Sequence, residues 1–268
     1  MKKLLYLFAL STVLLSACDK GELVENTPYE KLKVDDAKYT YIKILNLTPG
    51  SPVSNYYIDG TKFSAALSST GVESTGYAYN GLFPDFGYAS LAPGSHALTA
   101  KIVPAATVDA NLQISNATIT PAAGKYYTMF TTGQYSTTNK SLGPLLILED
   151  IKPALDTSKI FMRFVNLCNG NPNVDVVKGD LPTAPKLITN IPYGGASTGW
   201  TEIPAPGNGI SPVVKFWYLN SATGVALNAT ALSYTLTKGR AYTVYSRGIF
   251  GTTATATIPT YTFYTSFF

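Results

Sequence analysis

The chain of 268 residues contains only two cysteines and a single histidine. A common zinc site needs several cysteine or histidine ligands, so His96 alone does not predict one. Charged residues make up only 13% of the chain, and no block of Lys or Arg occurs in it. Binding of nucleic acid requires clustered positive charge, so nucleic acid is not an expected partner. We therefore expect neither a metal ion nor a cofactor.

The sequence also lacks an amphipathic pattern long enough to predict a helix after its N-terminal segment. Ile42 and Ile44 instead flank Lys43, and Arg163 occupies the same position in a second segment of this kind. Alternation with a period of two and one charged position predicts half-buried strands whose charged side chains point away from the core. Frequent Thr, Tyr, Val and Phe fit a pleated surface. The sequence therefore predicts an all-β fold.

The one long apolar run, Leu4–Leu15, lies near the N-terminus and follows Lys2 and Lys3. It is shorter than the roughly 20 residues that a membrane-spanning helix needs. Residues 1–17 are therefore predicted to be a cleaved signal peptide. The small residues that end this run lead directly into Cys18, a pattern typical of a lipoprotein processing site, so we expect Cys18 to carry a lipid.

If Cys18 carries a lipid, Cys168 has no partner for an intramolecular disulfide. We interpret Cys168 as a small, semi-buried residue of the core. The polar, acidic residues 18–38 are predicted to form a flexible spacer between the lipid and the folded part of the chain.

Three pairs of matching segments indicate an internal repeat. Each copy is about 110 residues long, the size of one immunoglobulin-like sandwich. The sequence therefore predicts two tandem immunoglobulin-like β-sandwich domains, at residues 39–152 and 157–268. The matching pairs are Tyr41–Leu47 with Phe161–Leu167, Ala92–Gly94 with Ala205–Gly207, and Gly124–Gly133 with Gly239–Gly248.

These segments resemble the DUF4397 family, whose domains occur as repeats in bacterial secreted and surface proteins. The resemblance rests on Ile42-Lys-Ile-Leu-Asn46 with Tyr57-Ile-Asp-Gly60, on the Pro-Gly turns and on the Gly-x-x-Tyr-Thr strand near the end of each copy. The second copy departs from the pattern at Lys178-Gly-Asp180. The family implies a β-sandwich but no activity, so no functional residue is carried over. The N-terminus also resembles envelope lipoproteins of Bacteroidetes-type bacteria.

Motifs that would predict catalysis are incomplete. Gly195-Ala-Ser-Thr-Gly199 matches a nucleophile elbow, but its flanks do not predict a helix and His96 lies upstream of it. The series from Asn169 to Asp175 has the spacing of a calcium loop, but Val174 stands where that loop needs glycine. Carboxylates such as Glu202 could serve a hydrolase only if they faced one another across a cleft. We expect no catalytic residue and no enzymatic activity.

Two sets of aromatic residues are singled out. Tyr127 and Tyr242 match between the two copies, and each is predicted to form a tyrosine corner with a hydrogen bond to backbone. Aromatic residues in loops could stack on sugars or anchor a protein interface, or instead cap the ends of the sandwiches. These possible binding aromatics are Tyr79, Phe83, Tyr88, Tyr193 and Trp200.

The sequence thus predicts a non-enzymatic lipoprotein of the cell envelope, attached to the outer membrane through its lipid and displaying sandwich domains for binding or scaffolding. The expected partners are the membrane and a glycan or protein ligand. Two alternatives stay open at this point. One is a polysaccharide-acting enzyme or an accessory glycan-capture protein, and the other is a purely structural envelope component.

Overall fold

The computed structural model describes residues 33, 35–67, 70–205, 207 and 209–267. Residues from 37 onward form one compact unit. The predicted signal peptide of residues 1–17, the lipidation at Cys18 and most of the predicted spacer lie outside the described residues. Within the described ranges, no helix has the length and apolar character that crossing a membrane requires.

Every regular element in the described part of the chain is a β-strand, as the sequence predicts. The strands of the first half are β1 (Thr40–Asn46), β2 (Ser54–Ile58), β3 (Thr61–Lys62), β4 (Leu82–Phe83), β5 (Ala89–Leu91), β6 (His96–Ile102), β7 (Gln113–Ile119), β8 (Tyr126–Thr131) and β9 (Leu145–Glu149). The strands of the second half are β10 (Lys159–Asn166), β11 (Val174–Lys178), β12 (Lys186–Ile191), β13 (Thr201–Pro204), β14 (Val213–Asn220), β15 (Leu232–Thr235), β16 (Ala241–Arg247) and β17 (Thr260–Phe267).

The strands form four sheets. Sheet I has the order β4-β1-β8-β9, with β5 also paired to β1, and sheet II has the order β3-β2-β6-β7. Sheet III has the order β13-β10-β16-β17, and sheet IV has the order β12-β11-β14-β15. Sheets I and II thus use the same order of strands as sheets III and IV, so the second half repeats the topology of the first.

One parallel pair of strands lies at the centre of sheet I and one at the centre of sheet III. Ile44 of β1 is paired with Met129 of β8, and Phe164 of β10 with Val244 of β16. The other pairings between named strands are antiparallel. This strand order differs from the ABED and CFG sheets of immunoglobulin constant domains, although each half is a two-sheet sandwich as predicted.

Each sandwich is held together by apolar side chains that point inward from both of its sheets. In the first sandwich Ile44 of sheet I packs in one cluster with Tyr56 and Leu98 of sheet II. In the second, Phe164 of sheet III packs with Phe216 of sheet IV. The alternating apolar positions of the strands therefore build two separate cores.

The outward faces of β1 and β10 are buried as well. Lys43 and Arg163 are only 1% and 5% exposed, respectively. The prediction that these two strands are half-buried is wrong, because sheets I and III pack against each other through their outer faces. Their apolar contact includes Leu45, Phe130 and Val165. Alternation along one strand does not show whether both faces of that strand are buried.

Both predicted tyrosine corners are confirmed. The hydroxyl of Tyr127 accepts a hydrogen bond from the backbone N–H of Ala122 at 3.3 Å, and the hydroxyl of Tyr242 accepts one from Thr237 at 2.7 Å. The turn before each strand contains a glycine with a left-handed backbone, Gly124 and its counterpart Gly239. Such a backbone conformation is strained for other residues. Each corner therefore ties the loop before β8 or β16 to its own strand.

A matched asparagine also ends the first strand of each sandwich. The side-chain oxygen of Asn46 accepts a hydrogen bond from the Thr131 hydroxyl at 3.0 Å, and that of Asn166 accepts one from Ser246 at 2.9 Å. Both asparagines are fully buried. Each one fastens the end of its strand to the parallel neighbour.

Candidate functional site

A buried ion pair lies between the two sandwiches. Arg163 projects outward from β10, and its guanidinium contacts the carboxylate of Asp150, which follows β9. The second carboxylate oxygen of Asp150 accepts hydrogen bonds from the hydroxyls of Tyr88 at 2.8 Å and Thr128 at 2.5 Å. The Arg163 Nε donates to Thr243 at 2.8 Å. The charges are therefore satisfied by partners from both sandwiches.

The electrostatics of this interface favour the charged form of Arg163. Burial works against the charge on Arg163, but the Asp150 carboxylate, with Tyr264 and Tyr88, outweighs it, so the pKa of Arg163 is raised. The pKa of Tyr88 is also raised, because its hydroxyl is buried and lies beside the Asp150 carboxylate. Tyr88 thus stays protonated and acts as a donor to Asp150.

Lys43 is a second buried cation in the same interface. Its Nζ donates a hydrogen bond to the carbonyl of Pro84 at 3.2 Å. The ammonium also lies 5.2 Å and 5.5 Å from the ring centroids of Tyr88 and Tyr264. Burial lowers the pKa of Lys43 to about 8, opposed by the carboxylates of Asp150 and Asp85. Lys43 is therefore held mainly by aromatic faces and one carbonyl.

Two of the predicted binding aromatics surround these charges. The ring of Tyr88 stacks on Phe267 of the second sandwich at 5.8 Å. The indole N–H of Trp200 donates to the carbonyl of Ile151 at 2.5 Å, and the Arg163 guanidinium lies 5.0 Å from its ring. Tyr88 and Trp200 thus join the sandwiches to each other and to the linker, by which we mean residues 151–157 between β9 and β10.

Two more of them lie at the opposite end of the interface. The guanidinium of Arg247, on β16, lies 5.8 Å from the ring of Tyr79 in the first sandwich. The hydroxyl of Tyr193 in the second sandwich accepts a hydrogen bond from the Gly133 N–H at 3.1 Å. Tyr79 and Tyr193 therefore also connect the two sandwiches.

Phe83 has a different position from the other four. It is 4% exposed and packs inside the first sandwich, 5.6 Å from Tyr77 and 5.5 Å from Phe63 between ring centroids. Its ring is therefore not exposed at the surface, where a ligand-binding aromatic residue would have to lie. The physical reason is its register: Phe83 pairs with Ile44 on β1, and both side chains face the core.

The segment between the sandwiches borders an open depression, which we call the linker groove. Its charged groups bind one another: the Lys159 ammonium lies 2.7 Å from Glu202 and 3.2 Å from Asp156. The pKa of Asp156 is lowered to about 2, chiefly by the hydrogen bond from the Ser158 hydroxyl and next by the bond from the Ser158 backbone N–H. The groove is lined by Pro153, Ala154, Leu155, Asp156, Thr157, Lys159, Phe161, Trp200 and Glu202.

The incomplete catalytic motif has a structural explanation. The Ser197 hydroxyl accepts a hydrogen bond from the backbone N–H of Phe164 at 3.0 Å. His96 contacts the Asp59 carboxylate at 2.6 Å and the Ala92 carbonyl at 2.9 Å. Ser197 is thus bonded within the second sandwich and His96 within the first.

Asp175 of the calcium-like series is likewise bonded within the second sandwich, in which Cys168 is buried. Asp175 accepts hydrogen bonds from the Asn190 N–H and the Ser221 hydroxyl, both at 2.7 Å, and pairs with Lys186 at 2.5 Å. Over the described ranges no group of three or more His, Cys, Asp or Glu side chains could hold a metal ion. Burial raises the pKa of the Cys168 thiol to about 12.

The residues missed at the level of sequence are the charges of the interface. Lys43 and Arg163 occupy matched positions in otherwise apolar strands, and this coincidence was the available signal. Asp150 gave no comparable signal, because it lies after a strand beside the exposed Glu149. Only the fold brings Asp150 and Arg163 together.

The chain is similar to several solved structures. No curated protein matches the sequence. One similar solved structure, from work on alpha-glucan recognition, is a family 41 carbohydrate-binding module from streptococcal virulence factors. It has 11% identity, a TM-score of 0.25 and coverage of 77% of this chain and 92% of its own. Another is a family 26 module of Eubacterium rectale Amy13K with maltoheptaose, with 11% identity, a TM-score of 0.24 and coverage of 84% and 97%.

Those TM-scores are too low for either structure to carry an inference about this chain. The family model described as a domain of unknown function, DUF4397, matches residues 40–177. The match begins with β1, contains the whole first sandwich and ends in β11 of the second. As it spans more than half of the sequence, the protein belongs to the DUF4397 family.

Proposed function

We propose that this protein is a non-enzymatic, lipid-anchored scaffold of the bacterial cell envelope, of the Bacteroidetes type and attached to the outer membrane. In this proposal two tandem DUF4397 sandwiches act as one body that holds a binding surface at a fixed orientation. The observation that carries the proposal is the buried contact between sheets I and III. A contact that encloses an ion pair and two apolar clusters suits permanent joining of domains rather than free movement.

The aromatic contacts support a scaffold over a ligand-stacking role. Tyr79, Tyr88, Tyr193 and Trp200 each make a contact that links parts of the body together. Rings engaged in this way stabilise the arrangement of the sandwiches. The displayed surface would then be formed by loops at the end that contains Tyr79 and Tyr193.

Lipid attachment is supported by the sequence that ends in Cys18. We expect the Cys18→Ala variant to lose incorporation of a fatty-acid analogue and to leave the membrane fraction, with Cys168→Ala as the matched control that keeps both. Equal membrane retention of the two cysteine variants would contradict the proposal.

Protease treatment of intact cells tests the location of the protein. Cleavage of the protein while periplasmic controls survive would place it on the cell surface.

Within a protein proposed to be non-enzymatic, one carboxyl of the linker groove is unsuited to glycoside hydrolysis. A glycosidase needs a carboxyl group that is protonated near neutral pH. Asp156, with its pKa lowered to about 2, does not meet that need. We expect hydrolysis assays on host and plant polysaccharides to give no product. Product formation that disappears in Glu202→Gln would overturn this part of the proposal.

Glycan capture is the second candidate, because Trp200 borders the linker groove. A ring beside hydrogen-bonding groups is a usual arrangement for holding a sugar. A glycan array with the wild-type protein and Trp200→Ala separates the two candidates. The scaffold proposal expects no signal from either protein. A wild-type signal that Trp200→Ala abolishes would favour glycan capture.

A further inference from the structure

The chain enters the sandwiches at the same end where the linker between them lies. The N–H of Gly124 donates to the carbonyl of Tyr39, just before β1, at 2.7 Å. The next residue, Lys125, pairs with Glu149 at the end of β9 at 2.8 Å. In the second sandwich the Gly239 N–H donates to the carbonyl of Lys159, also at 2.7 Å. The starts of β1, β8, β10 and β16 therefore share one end, which we call the base.

The base carries two large aliphatic side chains that the fold leaves in solvent. Ile151 is 67% exposed and Leu155 is 80% exposed, and both belong to the short linker. The linker is fixed in place, because the carbonyl of Ile151 accepts the indole N–H of Trp200. We call Ile151, Leu155 and Trp200 the linker ridge.

Isolated exposed aliphatic residues are ordinary on a protein surface. The linker ridge is different because two of them lie on one short connection and both lie near a half-buried tryptophan of the second sandwich. Tryptophan is enriched where proteins meet the headgroup level of a bilayer, with aliphatic side chains reaching further in. The surrounding charges have both signs, since Lys125 pairs with Glu149 and Lys159 with Glu202. A contact made by the ridge would thus rest on apolar burial, next to the exposed Lys152 of the linker itself.

The position of the base limits what can cover it. The segment between Cys18 and Ala37 spans at most about 65 Å even when fully extended. A lipid on Cys18 would therefore keep the base near the membrane at a high effective concentration, so that even a weak apolar contact would be populated. Among possible occupants of the ridge, the bilayer is the one that this attachment always brings close.

We propose that the linker ridge docks on the surface of the bilayer in which the protein is anchored, so that the loops around Tyr79 and Tyr193 face away from the membrane. This inference rests on the lipid anchor of the proposed function. It adds a second contact with the same membrane, made by Ile151, Leu155 and Trp200. The committed partner is the interfacial region of a phospholipid bilayer.

The two tryptophans of the chain allow a direct test. Trp217→Phe leaves Trp200 as the only reporter, on the linker ridge. Trp200→Phe leaves Trp217, which lies on β14 of sheet IV with its N–H bonded to the Asp180 carbonyl. The full-length lipidated proteins are bound to phosphatidylcholine vesicles whose acyl chains carry bromine, a short-range quencher. We expect quenching of Trp200 emission to be several-fold stronger than quenching of Trp217 emission.

The ridge itself is tested by Ile151→Ser combined with Leu155→Ser in the Trp217→Phe protein. Both side chains are exposed, so the fold should tolerate the change. We expect the quenching of Trp200 to disappear while the protein still sediments with the vesicles. Equal quenching of the two tryptophans in sedimenting proteins would overturn the docking and leave the anchor intact.

Two further outcomes have defined meanings. If the lipidated wild-type protein sediments with vesicles no better than Cys18→Ala, the anchor and the docking both fail. If a soluble polysaccharide or peptide shifts Trp200 emission without vesicles, and the ridge variant abolishes the shift, the ridge belongs to that ligand and bilayer docking is overturned.

Discussion

At the scale of single residues, the buried charges have the largest energetic consequence. Arg163 and Asp150 give up hydration when the sandwiches join. Their mutual contact compensates for that loss, together with the bonds that Asp150 accepts from Tyr88 and Thr128 and the bond that Arg163 donates to Thr243. Removal of one partner leaves the other charge buried without compensation.

We therefore expect Arg163→Met to lower the free energy of unfolding by about 3–5 kcal/mol. The double variant Arg163→Met with Asp150→Leu should recover most of that loss, since no uncompensated charge is left. Urea denaturation followed by tryptophan fluorescence measures both. The matched control is Lys159→Met, which removes a solvent-accessible cation and should cost far less than Arg163→Met. A loss for Arg163→Met no larger than that of the control would contradict the buried pair.

His96 offers a pH-dependent test of a surface contact. The bond to the Asp59 carboxylate raises the pKa of His96 above its ordinary value, and burial opposes the shift. A raised folded-state pKa means that the pair contributes stability below about pH 6.5, the ordinary histidine value. That contribution is lost as the pH rises through the folded pKa.

Because His96 is the single histidine, its ring protons can be followed by NMR without ambiguity. We expect a wild-type pKa above the ordinary value and a lower pKa in Asp59→Asn, with stability differing between the two proteins mainly at acidic pH. Coincident titration curves would show that the contact does not form in solution.

At the scale of strands and loops, features that depend on a single strand and its neighbours were predictable. The repeated strands β1 and β10, the paired turns and the tyrosine corners all follow from local patterns. The burial of Lys43 and Arg163 was not predictable in the same way, because it depends on a second sheet that covers their face. Period-two alternation indicates that a strand has two different faces, but it does not show what packs against each face.

The tyrosine corners give a prediction at this scale. Tyr127→Phe and Tyr242→Phe each remove an acceptor for a loop N–H, which should cost about 1 kcal/mol. The cost should be larger for Tyr242, because its hydroxyl is closer to the N–H and its side chain is more deeply buried. The measurement is the urea midpoint at constant slope. Tyr57→Phe serves as the control, since its ring contact with Lys101 survives the change. Equal midpoints for Tyr242→Phe and the control would argue against the corner.

At the scale of the whole molecule, the two sandwiches are connected twice, by the linker and by the contact between sheets I and III. The predicted binding aromatics illustrate what this double connection means for the site. Four of them lie in loops near the sandwich ends, whereas Phe83 lies in β4. Whether a ring in such a loop meets a ligand or the other sandwich depends on the arrangement of the domains. The patterns of single segments do not contain that arrangement.

The contact between the sheets should hold the body together without the covalent linker. We introduce a specific protease site after the exposed Ala154 and cleave the folded protein. Leu45, Phe130 and Val165 form an apolar centre beside the Arg163–Asp150 pair, so we expect the two fragments to stay together in size-exclusion chromatography. The matched control carries Val165→Asp, which places an additional unpaired carboxylate in that centre. Its fragments should separate, because burial of an unpaired charge costs more than the contact returns. If the fragments without Val165→Asp separate as folded halves, the linker alone joins the sandwiches, and a scaffold of fixed geometry is not what this chain provides.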